Sequence, residues 1–435
     1  MSPSYDAVVV GAGPAGAAAA LMLARNNLKV GLFERGPSPG TKNMFGGTIY
    51  RLPTAELIPA FWERAPLERP VVSEELWFLD DTSAVKLGFT SLKFGRPPYN
   101  KFTVLRPEFD RWFAQEAVAA GAALHTATLV RDILWRREGL TGRRAAGVVL
   151  EDGTAVEANA VVLAEGVAAF LAQKAGLRRP IRPDQLTLYA REVLALPAEK
   201  IEERFELEPG EGANLGFVGY PAGGIIGKGG IWTNRDSLAV VVGGYLNQLK
   251  DAGYSPYQLL TRFKSHPLVR RLLAGAEPLE YQAHVIPKGG FSAIPQLSTA
   301  GLLVAGDAAV MVSGRRGSDL ALLTGQYAGE TVVQAHAKQD FSAGILSAYD
   351  RRIKSSFFLA DIKAARNTHV YYQQHSDADL LITKALNDAL SEFFRMDLRT
   401  HQEKLQRIMI KLKSMQAPGK TLRDLWAGLN NWGVF

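Results

Sequence analysis

Apolar residues come in short, dense runs near the start of the chain. Ala7 to Val10 is one such run, and a glycine-rich turn separates it from a stretch rich in alanine and leucine. A second apolar run ends at Glu34. Short apolar runs read as buried strands and the longer stretch as a helix, so the first 34 residues predict strand, helix, strand. From Gly36 to Arg51 the chain is too polar and too rich in glycine for a regular element. Ala55 to Val104 predicts mixed short strands and turns. From Arg106 to Ala123, the apolar residues Phe109, Trp112, Phe113 and Ala117 fall at helical spacing, which predicts a helix stopping at Gly121. Alternation between Leu124 and Leu163 predicts strands, the last of them buried. Residues 181–300 carry strand-like runs with a helical insert near Pro256 to Ala274, a β-rich lobe. Gly301 to Ala309 predicts another buried strand, followed by a helix over Ser318 to Lys338. Beyond Phe341 the pattern is helical to the end, with Phe393, Phe394, Leu398, Leu405, Ile408 and Leu412 on apolar faces.

The turn after the first strand has a definite chemistry. Gly11 lets the chain turn tightly, Gly13 lets backbone approach a diphosphate, and Gly16 lets the helix pack on the strand. Phosphate oxygens then sit at a helix N-terminus, where free N–H groups and the helix dipole favour negative charge. Glu34 is placed to accept both hydroxyls of an adenosine ribose, and its charge disfavours a 2′-phosphate. The reading is a dinucleotide site.

Composition narrows the classes of function. With 435 residues, 47% hydrophobic and 21% charged, the chain is globular and large enough for several lobes. It has no cysteine, which excludes disulfides, redox thiol pairs and a thiolate-held iron–sulfur cluster within this chain. No signal-like segment and no run of 18 apolar residues is present, so a cytoplasmic protein is expected. Net charge is +7 (50 minus 43), and residues 351–435 supply +6 of it (14 Lys and Arg against 8 Asp and Glu). That basic end suits anionic lipid or an acidic protein partner, or is simply a solvated face. Nucleic acid is not indicated, because no reading motif accompanies the charge.

A second layer comes from resemblance. The strand-end string A-G-D-A-A around Asp307 resembles the second fingerprint of glutathione-reductase-type flavoproteins, and Val161 to Gly166 falls where that family has its third motif. Two fingerprints in this order imply FAD. The strings P-G-T-K-N-M-F-G-G-T-I-Y, G-K-G-G-I-W-T-N-R-D-S-L, H-P-L-V-R-R-L-L and A-H-V-I-P-K-G-G-F-S-A-I-P-Q-L resemble the electron-transfer flavoprotein:quinone oxidoreductase family, in its FixC branch. The resemblance runs from about residue 4 to 370. It implies an α/β glutathione-reductase-type Rossmann fold with a β-rich quinone lobe and a helical C-terminal region. The expected domains are residues 1–180 with 296–345 for FAD, 181–295 for quinone, and 346–435 for partner docking.

Carried onto this sequence, the implied FAD contacts are Gly11, Gly13, Pro14, Ala15, Gly16, Glu34, Arg35, Lys42, Gly46, Gly47, Arg106, Val130, Glu165, Gly306, Asp307, Gly317, Asp319, Leu320 and Ala321. The quinone is implied at Gly229 and Gly230. The apolar surroundings of that pair suggest insertion into a membrane surface, with Phe217, Tyr220, Ile225, Ile226 and Trp232 as anchors, or else a buried hairpin. Redox chemistry is expected on FAD, with no catalytic side chain and no metal. Mitochondrial-type members hold a cysteine-ligated cluster that this chain lacks. In the FixC branch the cluster resides on a ferredoxin-like subunit, FixX, and the donor is the electron-transfer flavoprotein pair FixA and FixB, in assemblies of electron-bifurcating type. The expected partners are therefore those subunits, a membrane quinone and the cytoplasmic membrane surface. His369, Tyr371, Tyr372 and His375 either line an electron-entry surface or pack the helices. Other readings are a geranylgeranyl-reductase-like enzyme, whose relatives commonly have cysteine where this chain has Met44 and Phe45, a nicotinamide-dependent monooxygenase, and a flavin-bearing scaffold inactive without its partners.

Overall fold

The computed structural model describes residues 4–41, 47–138, 142–314 and 316–431. The chain divides into two compact units. One comprises residues 1–67, 104–181 and 287–364, and the other 68–103, 182–286 and 365–435.

In the first unit, β1 (Ser4–Val10), α1 (Pro14–Arg25) and β2 (Val30–Phe33) follow in the expected order. Strand β1 is parallel to β2 on one side and to Ala155–Leu163 on the other, with Val8 opposite both Gly31 and Val161. The second half of β1, Ala7 to Val10, is buried on both faces, which is why it is apolar without alternation, while Ser4, Tyr5 and Asp6 before it are exposed or half-buried. Leu302–Val304 extends the parallel sheet beyond Ala155–Leu163, and Ala123–His125 extends it beyond β2. The strands Val130–Glu138 and Gly142–Leu150 form an antiparallel arm attached to Ala155–Leu163. This is the Rossmann-type α/β architecture expected. Helix Arg106–Ala119 buries Phe109, Phe113 and Ala117, and Gly121, at φ +110°, lies just past its end. The long helix has the expected bounds, Ser318–Lys338, and packs along α1. The contact is so close that it needs glycine: a Cβ at Gly325 would stand 1.9 Å from the Ala15 carbonyl oxygen.

The second unit is built on a seven-stranded sheet. Its spatial order is Glu277–Pro287, Leu186–Ala195, Ser237–Tyr245, Gly227–Thr233, Gly212–Gly219, Val71–Leu79, Ala84–Thr90. The last two strands come from the span expected to belong with the nucleotide domain; Val71–Leu79 enters by parallel pairing with Gly212–Gly219. The helical insert is two helices, Pro256–Ser265 and Pro267–Leu272, the second opening on a proline that lacks the N–H needed to continue the first. Four more helices, Arg366–Gln374, Ala378–Phe394, His401–Met415 and Pro418–Asn431, belong to this unit.

Burial overturns one expectation. Phe217, Ile225 and Ile226 are core residues of the second unit, and Tyr220 and Trp232 are half-buried, so the expected membrane anchors are interior packing. Exposed apolar side chains of this unit lie on the edge strand Ala84–Thr90 and just after it (Leu87, Phe89, Leu92), at Tyr257, Leu279 and Tyr281, and at the C-terminal helices. Phe393, Phe394, Met396, Leu398, Leu405, Ile410 and Trp426 stand exposed at the C-terminal helices, and helix His401–Met415 buries no residue at all.

Two glycine-to-alanine changes separate close approach from helix propensity. Alanine at Gly325 is expected to destabilise by about 1–3 kcal/mol, since overpacking outweighs its better helix propensity. At Gly344, in helix Ala343–Lys354, the nearest atom to an added Cβ is 3.8 Å away, and alanine should raise the melting temperature. Thermal denaturation of the two variants against the parent checks both signs.

Candidate functional site

The parallel strands of the first unit end in the sequence motifs. β2 is followed by Glu34, β1 by Gly11, Ala155–Leu163 by Glu165, and Leu302–Val304 by Gly306 and Asp307. In open α/β sheets ligands lie in the crevice outside these carboxyl ends. At a strand spacing of about 4.8 Å, the three intervals from Glu34 to Asp307 span about 14 Å, room for an extended molecule.

At the first motif the glycine roles are geometric. Gly11 has φ +96°, and a Cβ there would come 2.4 Å from the Ala164 carbonyl oxygen. At Gly16 a Cβ would come 1.7 Å from the Gly11 carbonyl oxygen, so the helix seats on the turn only with hydrogen in that place. Gly13 is different: nothing lies within 4 Å of its Cβ position, and it gives α1 no side-chain cap. The space beside Gly13 at the start of α1 is thus open, as a phosphate cradle requires. Pro14 and Ala15 are buried in the first turn of α1. The Glu34 carboxylate is held in place by the N–H groups of Ala12 (3.0 Å) and Gly36 (2.7 Å), one on each oxygen.

The second motif is locked to the first. A Cβ at Gly306, where φ is +66°, would lie 2.9 Å from Ala15 Cβ, and the Gly306 N–H donates to Thr324 Oγ1 at 3.0 Å. Leu320 and Ala321 are buried in the first turn of Ser318–Lys338, and Gly317, which precedes it, has open space beside it and offers no cap. Asp307 is the one residue of 301–310 that is not buried. Its carboxyl is nevertheless pushed up to about 6 by desolvation, against the pull of Arg106, Arg178 and Lys288. Arg106 makes a bidentate pair with buried Asp110, both bonds 2.8 Å, and donates to Ser318 Oγ at 2.8 Å. Lys288 donates to the Gly314 carbonyl oxygen at 2.9 Å, and burial brings its ammonium down to about 8.

The remaining expected contacts divide. Asp319 accepts from Arg316 Nε at 2.5 Å, while its buried Oδ1 meets no partner among the described residues. Glu165 accepts from the N–H groups of Leu171 (2.8 Å) and Ala172 (3.0 Å), a local cap on the short helix that follows, and burial pushes its carboxyl up. Arg35 is exposed, Val130 is buried at the head of its strand, and the buried Gly47 accepts from the Val104 N–H at 2.9 Å. Lys42 and Gly46, with Met44 and Phe45, lie outside the described residues. Open space at Gly13 and Gly317 and the unsatisfied Asp319 oxygen fit a bound dinucleotide. Arg178 and Lys288 were missed. Lys288 sits in the recognised string A-H-V-I-P-K-G-G, but Arg178 follows a helix with nothing in the pattern to mark it.

Gly229 and Gly230 lie in the second unit, on strand Gly227–Thr233. A Cβ on Gly229 would be 3.0 Å from the Phe263 ring, and one on Gly230 would be 3.0 Å from Val241 Cγ1. The pair thus makes room for neighbours of its own unit. Of the His and Tyr cluster, Tyr372 is fully buried and donates to Asp379 Oδ1 (3.2 Å), and Tyr371 donates to Asp424 Oδ1 (2.5 Å) and packs its ring on His375 at 4.3 Å. These side chains pack helices. Among the described residues no cluster of metal-ligating side chains occurs, and no helix is long and apolar enough to cross a membrane.

Residues 3–54 match the Thi4 family. Among solved structures, a geranylgeranyl bacteriochlorophyll reductase-like protein from Thermoplasma acidophilum aligns with TM-score 0.71 at 18% identity, covering 95% of this chain and 100% of that one. The myxobacterial halogenase CndH, a variant of FAD-dependent halogenases, aligns with TM-score 0.64 at 16% identity over 100% of this chain and 98% of that one. At such identities the likeness shows the fold. The curated relatives are nearer: Protein FixC of Azorhizobium caulinodans is 38% identical over 410 residues, 93% of each chain, and that of Azotobacter vinelandii 37% identical over 421 residues, 95% of this chain and 96% of the relative. Kinship at that level over nearly the whole length makes this chain a member of the FixC family.

Proposed function

We propose that this chain is the flavin subunit of a Fix-type electron-transfer system. It takes electrons from electron-transfer flavoprotein subunits, directly or through a ferredoxin-like iron–sulfur subunit, and delivers them to a membrane quinone. The observation that supports this is the FixC kinship over more than nine-tenths of the chain. FAD is the cofactor the site suits, and when bound it supplies two-electron chemistry.

The chain's own residues bind, orient and tune. Glu34 takes the adenosine ribose, the N–H groups beyond Gly13 take the diphosphate, and Asp307 accepts a hydroxyl of the ribityl chain. The open N-terminus of Ser318–Lys338 would favour negative charge on a flavin held beside it. With no cysteine in the chain, any iron–sulfur relay belongs to a partner. Gly229 and Gly230 remain the quinone candidates, and Phe263 is the ring that must swing aside to admit one. Attachment to the membrane falls to the C-terminal helices, where exposed Phe394, Met396 and Trp426 accompany Arg407, Lys411 and Lys413, a combination suited to an anionic bilayer surface.

Three measurements test this reading. Asp307→Ala and Gly13→Val should each weaken FAD binding, the first by about 10- to 100-fold for one lost charged hydrogen bond; full flavin occupancy in both variants removes the site assignment. Chemically reduced protein, mixed anaerobically with a soluble quinone analogue, should regain its oxidised flavin band rapidly. A band that stays bleached even with the partner subunits added, or hydrogenation of a prenyl lipid instead, overturns the quinone reading. Co-sedimentation with vesicles containing anionic lipid should fall sharply in the Phe394→Asp, Trp426→Asp double variant, and equal sedimentation would place the membrane surface elsewhere.

A further inference from the structure

Two buried arginines of this protein are satisfied very differently. Arg69, 2% exposed, has every guanidinium nitrogen bonded: Nε to the Asn234 carbonyl oxygen (2.6 Å), Nη1 to Glu202 (2.8 Å) and the Glu211 carbonyl oxygen (2.9 Å), and Nη2 to the Arg235 carbonyl oxygen (2.7 Å). Arg178, 4% exposed, uses only Nη1, which donates to the carbonyl oxygens of Asp307 (3.3 Å) and Ala308 (2.9 Å). Its Nε and Nη2 are buried and meet no acceptor among the described residues. Buried donors are almost always paired, because they have given up water without replacement. Two unpaired donors on one cation call for an acceptor that the described residues do not supply.

The location says what kind of acceptor. Arg178 feels the carboxylates of Glu165 and Asp307, which stand just past the carboxyl ends of the adjacent parallel strands Ala155–Leu163 and Leu302–Val304. That is the crevice where the dinucleotide is expected, between its diphosphate and its flavin. The groups on offer there are sugar-alcohol and phosphate oxygens, all of them acceptors.

We propose that Arg178 is a positioning residue of the cofactor site: Nη1 locks the Asp307–Ala308 turn, the guanidinium keeps the Asp307 carboxylate ionised to accept a cofactor hydroxyl, and Nε and Nη2 donate to a cofactor oxygen, directly or through one ordered water. This rests on the FAD reading above. The other charges around Asp307 are Arg106, from helix Arg106–Ala119 and already paired with Asp110, and Lys288, which follows strand Glu277–Pro287. Asp319, in the first turn of helix Ser318–Lys338, is paired with Arg316, and Glu165 also acts on Arg178. Without Arg178, only a partly neutralised cation and a lysine oppose protonation of Asp307. A carboxylate that must be ionised to bind gives full affinity above its pKa and loses it as the pH falls through that value. Removing Arg178 therefore moves the loss of affinity upward in pH.

The test is titration of FAD into the deflavinated full-length chain, followed by flavin fluorescence from about pH 6 to about pH 9. Parent, Arg178→Gln, Arg178→Lys, Asp307→Asn and the Gln–Asn double variant are compared. Arg178→Gln is expected to bind at least about tenfold more weakly at neutral pH and to recover as the pH rises, while the parent is flat between about 7 and about 8, above the Asp307 carboxyl at about 6 and below the Lys288 ammonium at about 8. In the Asp307→Asn background the same change should cost less and lose its pH dependence, because the carboxylate is gone while the donation to the cofactor oxygen remains. Arg178→Lys should keep the parent's pH profile at reduced affinity, since the charge remains and the planar fork does not. That variant carries the test alone if Arg178→Gln does not fold. Parent-like affinity in both Arg178 variants overturns the inference, and so does a loss equal at every pH and undiminished in the Asp307→Asn background. A parent that takes up no FAD fells the cofactor reading itself, a result distinct from either.

Discussion

A carboxylate drawn out of water must be answered by positive charge, and the first unit is arranged around that requirement at Asp307. Burial alone favours the neutral acid, which cannot accept from a ligand hydroxyl with its full charge. Three cations from three distant stretches of chain, Arg106, Arg178 and Lys288, oppose it. Each is anchored by something else as well: Arg106 by Asp110 and Ser318, Arg178 by the carbonyl groups of the very turn that carries Asp307, Lys288 by Gly314. The charge balance and the closure of the fold are thus the same set of bonds. Loss of any one anchor releases a chain segment and a charge together.

That arrangement depends in turn on how closely two helices approach. Gly306 lies against Ala15 and Ala321, and Gly325 against the Ala15 backbone, at distances that leave no space for larger groups. The two fingerprint motifs, nearly 300 residues apart in sequence, are therefore one packed object. Small residues here serve packing and access at once: lack of a side chain at Gly16 lets α1 seat on the turn, and at Gly13 it leaves open space at the start of the helix, where a diphosphate is favoured.

In the second unit glycine serves a different purpose. Gly229 and Gly230 accept Phe263 and Val241 into the space their side chains would fill, so the aromatic layer of this unit is seated directly on the sheet. The hairpin around them is apolar because it is core. Among the surfaces the unit leaves uncovered, its C-terminal helices are apolar and basic together, a combination that favours contact with something outside this chain.

The sequence by itself determined the dinucleotide fingerprint, the parallel strands beside it, the bounds of helix Ser318–Lys338 and the acid at Asp307. These are local matters, set by periodicity and by glycines whose roles follow from backbone geometry. Periodicity was silent on which residues meet across the fold. It reported that residues 217–232 are apolar but not whether their apolar side meets protein or lipid, since both solvents select the same side chains. It assigned residues 68–103 by their neighbours in sequence, whereas Val71–Leu79 pairs with Gly212–Gly219, a partner far along the chain. Arg178 was invisible for the same reason. A lone arginine after a helix looks like any solvated arginine, and only the tertiary structure showed it buried behind the Asp307 turn with two donors unpaired among the described residues.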